Sequence, residues 1–304
     1  MALVAPPYFD VPPHGYGGVE AVVADLANAL VEQGHTVTLI GAGRHGTDAR
    51  FWPVWKDTIP DRLGEAYSEV AHAAVVRRAI EELVAEDAVE VVHDHTVAGP
   101  LNAPAYRSLG LPTVVTSHGL VDAELRTIYG AVGSDIALVA ISQRQRTLAP
   151  ELNWVGTVYN ALSLDAWPFL SDKADYGLFL GRFHPDKGPD LALDAAHAVG
   201  MPLILAGKCA DPSEREFFAK EVEPRLGPYD EVVGVADAHV KRRLLSRARC
   251  LVFPVRWEEP FGMVMIEAMA CGTPVVALRA GAVPEVVAHG VTGLICDDAE
   301  ELPA

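Results

Sequence analysis

Residues 250–277 read CLVFPVRWEEPFGMVMIEAMACGTPVVA. The apolar run at 250–253 is too short for a helix and shows no polar alternation, which marks a strand buried on both faces. A polar loop follows, and Gly262 opens an apolar helix that continues through Met269. Residues 274–277 are apolar again and supply the next strand. Strands apolar on both faces and separated by helices indicate a parallel sheet covered on both sides.

The same alternation extends outward from this stretch. On its C-terminal side a strand is predicted at 294–296; before it, strands are predicted at 231–233, 203–206 and 176–180, preceded by the polar stretch 171–175. In the first half, strands are predicted at 3–5, 36–40, 89–93, 113–116 and 136–141. Val19, Val22, Val23, Leu26 and Leu30 recur at helical spacing, Gly34 closes that helix, and a second helix covers about 65–85. The fold class expected is α/β: two doubly wound parallel-sheet domains, residues 1–165 and 166–304, with the crossover near 160–175. A chain of 304 residues is long for one compact domain and comfortable for two.

Half the residues are hydrophobic and 21% are charged, as in an ordinary globular protein. The net charge is −17, and neither part is basic: 20 acidic face 10 basic residues in 1–165, and 21 face 14 in the rest. A nucleic-acid partner, which demands clustered Lys and Arg, is not expected. The one basic run, Lys241-Arg242-Arg243 with Arg247 and Arg249, reads as a solvated helix face. Cys209, Cys250, Cys271 and Cys296 form no CxxC pair and read as free thiols in a reducing cytoplasm. The apolar start at residues 1–5 is too short for a signal peptide or membrane span, and nothing later reaches that length.

In doubly wound sheets ligands bind beyond the carboxyl ends of the strands, so the loops there carry the chemistry. Gly17-Gly18 precedes a helix, where exposed N–H groups face an anion or simply form a tight turn. The loop from Gly181 to Gly188 holds Arg182 and Lys187, a fork and a point charge that can both reach a diphosphate; a solvated loop is the plainer alternative. Glu259 lies before the helix opened by Gly262, and Glu267 lies inside it. Ionised carboxylates there suit a ligand dense in hydroxyls, or are surface charges. His118, in Ser117-His118-Gly119, follows a strand, a position open to a ligand or to a structural role. His93 and His95 share one face of a strand end, and a metal site there would need a third ligand that the sequence does not supply nearby.

Together these loops resemble the retaining GT-B glycosyltransferases of family four over essentially the whole chain. The resemblance rests on Gly17-Gly18-Val19-Glu20, Gly34-His35-Thr36-Val37, Ser117-His118-Gly119 and Tyr159-Asn160-Ala161. It continues with Gly181-Arg182, Lys187-Gly188, Glu259 with Glu267, the stretch 267–277, Gly281, Pro284-Glu285 and Gly293-Leu294. It implies two Rossmann-like domains facing across a cleft, the second binding a nucleotide sugar and the first an acceptor. Arg182 and Lys187 would hold the diphosphate and stabilise it as a leaving group, Glu267 the ribose and Glu259 the sugar hydroxyls. Backbone amides of Gly262, Met263 and Val264 would meet sugar and phosphate, His118 would lie beside the sugar, and Gly17-Gly18 near the diphosphate. The base would sit near Gly234-Val235, with UDP the first choice.

The resemblance further implies transfer of a hexose-type sugar with retention, by a front-face route, without metal or other cofactor; no second carboxylate stands where a hydrolase nucleophile would. A non-hydrolysing nucleotide-sugar epimerase would leave Arg182, Lys187 and the two glutamates unexplained, and a non-catalytic nucleotide-sugar-binding protein of the same fold would not release nucleoside diphosphate. A small soluble acceptor is expected, a sugar, secondary metabolite or similar, because the basic residues of 44–78 are interleaved with acids rather than forming a membrane-binding face. Relatives of this kind continue with two further helices, the last crossing back onto the first domain. Asp298 reads as the N-cap of the first of these, so the chain is expected to lack them, as a shortened form or for want of its tail.

With Arg182 and Lys187 neutralising the diphosphate, release of nucleoside diphosphate should survive EDTA. A strict requirement for Mn²⁺ or Mg²⁺ would contradict this assignment of charge.

Overall fold

The computed structural model describes residues 1–303 except Asp87, and the chain divides into two compact units, Met1–Ala161 and Leu162–Ala304. The first contains β1 (Ala2–Val4), α1 (Gly18–Glu32), β2 (Thr38–Ala42), β3 (Arg50–Trp55), α2 (Ala66–Ala85), β4 (Val92–Asp94) and α3 (Ala103–Ser108). It continues with β5 (Thr113–Ser117), α4 (Ala123–Val132), β6 (Ile136–Ala140), α5 (Gln143–Leu148) and β7 (Trp154–Thr157). Its strands form one parallel sheet in the order β3-β2-β1-β4-β5-β6-β7.

The second unit contains β8 (Gly177–Leu180), α6 (Pro189–Ala198), β9 (Leu203–Ala206), α7 (Pro212–Phe217), β10 (Glu231–Gly234) and α8 (Ala238–Arg247). It continues with β11 (Cys250–Phe253), α9 (Met263–Ala270), β12 (Val275–Leu278), α10 (Val283–Val286) and β13 (Gly293–Cys296). Its sheet, also parallel, runs β10-β9-β8-β11-β12-β13. Both are doubly wound sheets, as the sequence predicts, with the strand order reversing between β1 and β4 and between β8 and β11.

Alternation along the strands explains the two-sided cover. In the first unit Leu3 and Leu39 pack with Val23, Ala24 and Ala27 of α1. Val4 and Ile40 point the other way and meet Val76, Ile80 and Leu83 of α2. In the second, Phe179 and Leu205 pack with Leu193 of α6, while Leu178 and Leu251 pack with Leu245, Met265 and Ala268. Each such Leu, Ile or Phe contributes about 1.5–3 kcal/mol by leaving water.

Two strands have no counterpart in the sequence reading. β3, Arg-Phe-Trp-Pro-Val-Trp, and β7 lie at the two edges of the first sheet and are half-exposed, so neither has the two-faced burial of the central strands. Pro53 within β3 further masks it, and an edge is where a strand tolerates proline. At the other end of the chain, the Asp298 carboxylate accepts from the N–H groups of Glu300 and Glu301, as an N-cap does. Leu302 then packs beside Ala195 and Cys296 within the second unit. No helix among the described residues is long and apolar enough to cross a membrane.

The loops after β8 and β9 run together backbone to backbone. Gly181 N–H donates to Ala206 O at 3.0 Å, and Gly207 N–H donates to Gly234 O at 2.7 Å. A Cβ on Gly207 would stand 1.6 Å from the carbonyl oxygen of Gly181, so no side chain fits. Gly207→Ala should lower the unfolding free energy by about 3 kcal/mol, at the upper end for overpacking. A urea midpoint equal to that of the unaltered protein would contradict this.

Candidate functional site

The reversal between β8 and β11 sends their two following loops apart, and most of the singled-out residues of the second unit lie on them. Behind β8, Phe183 is buried in the core and Pro185–Lys187 form a single tight turn before Gly188 and α6. Behind β11, the chain runs through Trp257 and Glu259 to Gly262, the N-cap of α9.

Lys187 and Glu259 meet here: Lys187 Nζ lies 2.6 Å from Glu259 Oε2. Trp257 braces both, its Nε1–H donating to Glu259 Oε2 at 2.8 Å and its ring centroid lying 4.4 Å from Lys187 Nζ. Arg256 ties the two loops together. Its backbone N–H donates to Asp186 O at 2.7 Å, its Nη1 to Pro185 O at 3.0 Å, and its Nη2 pairs with Asp190. From a third loop Gly281 closes on Glu259: Ala282 N–H donates to Glu259 O, and a Cβ on Gly281 would come within 2.3 Å of the Glu259 backbone. Gly281 is therefore glycine for reasons of approach.

Arg182 is held by Glu214 at 3.3 Å. The Glu214 side chain is only 1% exposed, and its other oxygen accepts from the N–H groups of Ala210 and Asp211 at the head of α7. The loop carrying Arg182 and Lys187 is thus half-buried and ion-paired, not a solvated loop. Glu259 and Glu267 are buried too, which excludes the surface-charge reading. Glu267 pairs with Lys241 at 2.7 Å, and Lys241 lies over the Trp167 ring. This corrects the view of 241–249 as a solvated face: the first residue of that run is turned inward onto a carboxylate. Met263 and Val264 lie in the first turn of α9; Gly234 ends β10, and Val235, just after it, is exposed.

In the first unit, Gly17 is the N-cap of α1 and Gly18 its first residue, with Glu20 buried in the first turn. Burial pushes the Glu20 carboxyl up to about 7. His118 follows β5, and its Nε2 lies 2.7 Å from Nδ1 of His95, which follows β4. His93 and His95 do share a face, with ring centroids 4.2 Å apart, and His93 Nε2 bonds Thr116 Oγ1 at 2.8 Å. Among the described residues no group of three His, Cys, Asp or Glu side chains is placed to hold a metal ion.

Glu214, Arg256, Trp257 and Gln145, which donates to Ser117 O and Gly119 O on either side of His118, are among the residues that the sequence reading passed over. Only Glu214 had a local signal, the Asp211-to-Glu214 capping-box spacing.

Residues 174–304 match the family of glycosyl transferases group 1, and residues 16–156 match glycosyltransferase family 4. The chain is 30% identical to an alpha-maltose-1-phosphate synthase of Mycobacterium tuberculosis, over 96% of this chain and 84% of that one. Against two other curated relatives the match spans 63% and 28% of their length. Among solved structures it resembles AviGT4, a glycosyltransferase involved in avilamycin A biosynthesis, at 27% identity and a TM-score of 0.70, covering 99% and 86% of the two chains. It also resembles Alr3699/HepE of Anabaena, solved with UDP and glucose, at 20% identity and a TM-score of 0.74, covering 99% and 87%.

The buried imidazoles give the first unit a pH signature. Burial pushes His93 down from 6.5 to about 4 and His118 to about 3, so the folded state keeps both neutral. As pH falls below 6.5 the unfolded chain takes up protons that the folded chain refuses, and stability is lost down to about 4 at His93. Glu20, raised to about 7, acts in the opposite sense, its contribution being lost as pH rises through 7. The difference between His93→Phe and the unaltered protein isolates the imidazole. His93→Phe should be less stable at pH 7.5, for want of the Thr116 bond, yet lose less on acidification to pH 4. Urea midpoints across that range check this, and parallel curves would contradict it.

Proposed function

The chain belongs to the group 1 and family 4 glycosyltransferases, with GT-B architecture, and from that premise we propose that it moves a hexose-type sugar from a nucleoside diphosphate, UDP first, to an acceptor hydroxyl with retention. The observation that carries this reading is the Lys187–Glu259 pair at the strand-order reversal, braced by Trp257. It offers a cation and a hydroxyl acceptor at one point, the combination that a sugar bonded to a phosphate requires.

In this reading Lys187 and Arg182 take the charge that develops on the departing diphosphate, in the place a metal ion holds elsewhere. Glu259 accepts from hydroxyls of the donor sugar and Glu267 from those of the ribose. The N–H groups of Gly262, Met263 and Val264, at the positive end of α9, meet sugar and phosphate oxygens. Gly181, Gly234 and Val235 border the nucleotide through backbone, and the family resemblance assigns Gly17 and Gly18 to the diphosphate and His118 to the sugar. The bond from the anomeric carbon to the phosphate oxygen breaks, and the acceptor oxygen bonds that carbon on the same face. The acceptor proton passes to the departing phosphate oxygen. UDP is favoured because the Anabaena protein was solved with UDP and glucose. A small soluble acceptor and a cytoplasmic setting complete the reading, the latter supported by four free cysteines.

Thermal-shift screening against UDP-, GDP- and ADP-sugars tests the donor. Lys187→Ala or Arg182→Ala should cut release of nucleoside diphosphate by about a hundredfold or more, by analogy with lost oxyanion donors. The thermal midpoint should fall by about 10 °C, because each truncation leaves a buried carboxylate unpaired, so turnover is read well below it. Near-normal turnover in Lys187→Ala would overturn the phosphate assignment.

A further inference from the structure

We propose that His95 and Gln145 are positioning residues for His118: His95 fixes the tautomer of its ring, and Gln145 fixes the backbone that carries it. The proposal rests on the reading above, in which His118 meets the donor sugar.

The backbone argument concerns Gln145, which is 2% exposed. Its side-chain amide donates both protons to the carbonyls that flank His118, to Ser117 O at 2.9 Å and to Gly119 O at 2.8 Å. Its carbonyl oxygen accepts from Ile141 N–H at 2.9 Å. Two carbonyls demand donors and one N–H demands an acceptor, so the orientation of the amide is determined. The helix that presents Gln145 is itself capped, Ser142 Oγ accepting from Gln145 N–H at 3.1 Å. The segment 117–119 is therefore clamped on both sides of His118 by one buried side chain from the first turn of α5.

The ring argument concerns His95. Its Nδ1 faces His118 Nε2 at 2.7 Å, while its own Nε2 is buried with no hydrogen-bond partner. Both rings are held neutral by burial, so one proton lies between them. If His118 supplied it, His95 would carry its proton on Nε2, a buried N–H with no acceptor, which folded proteins rarely tolerate. If His95 supplies it from Nδ1, only a bare ring nitrogen is left unpaired. The second arrangement is the cheaper, and it leaves the proton of His118 on Nδ1. His118 then offers an N–H donor to the oxygen of a sugar hydroxyl. His93, bonded to Thr116, lies against the His95 ring with centroids 4.2 Å apart and the ring planes tilted by 39°, and limits its rotation.

The test combines ¹⁵N NMR of the imidazole nitrogens of the full chain with turnover of UDP-glucose, read as UDP release. In the unaltered protein His118 should be protonated on Nδ1. In His95→Phe, which keeps a ring but no donor, the proton should shift toward Nε2. UDP release should then fall about 10- to 100-fold in kcat, with KM for UDP-glucose within about twofold. His95→Asn, whose amide N–H reaches where Nδ1 stood, should restore most of the rate. Gln145→Glu, which sets a carboxylate against two carbonyls, should lower kcat in the same way. An Nε2 proton on His118 in the unaltered protein, or a tautomer and rate both unchanged in His95→Phe, overturns the proposal. Full turnover in His118→Ala would instead overturn the role of His118 itself, while the NMR result still decides whether His95 sets its tautomer.

Discussion

A parallel sheet that is wound in both directions from its middle has one place where neighbouring strands send their connections to opposite faces. In the second unit that place lies between β8 and β11, and the loops behind these strands must separate there. Separated loops would be free to move, yet these are not. Arg256 reaches across to Asp186, Pro185 and Asp190, Gly281 presses onto Glu259, and the backbones behind β8 and β9 touch at Gly207. The fold opens a mouth, and a small set of contacts sets its lips at fixed positions.

The charges within it follow a second rule, that a buried carboxylate needs a partner. Glu214, Glu259 and Glu267 are each nearly inaccessible, and each is matched by one cation: Arg182, Lys187 and Lys241. Each of these three pairs is neutral as a whole, so no uncompensated charge is left at these positions. Each carboxylate holds its cation in one place, so the positions of both charges are set by the fold.

The central strands were legible because they are buried on both faces and so spelled as short apolar runs; residues 203–206 and 250–253 are bounded in the structure as in the sequence. β3 and β7 were not, because an edge strand has a solvent side and β3 contains a proline. The loops of interest were legible for the same topological reason: they follow strands. Their partners were not. Arg256 finds Pro185, and Gln145 finds Ser117 and Gly119, only after the sheet has brought distant segments side by side. Lys241 was misread because a basic run looks alike whether its first residue faces water or a carboxylate. His95 was noticed for sharing a face with His93, which it does, but its hydrogen bond to His118 joins two strand ends that the sequence does not place side by side.

β3 has a bearing on how the protein behaves in a crowded solution. An outermost strand exposes unpaired N–H and C=O groups that another chain can adopt as a template, and seven parallel strands make a long ribbon to extend. The outer border here carries Arg50, whose guanidinium lies over Trp52, and Pro53, which has no N–H to offer. A second molecule attempting to add a strand would meet a positive charge, a ring in place of a donor, and two bulky indoles at Trp52 and Trp55. Those features make the border a poor seed for aggregation, so two strongly β-forming tryptophans can sit at the rim of the sheet without recruiting neighbours.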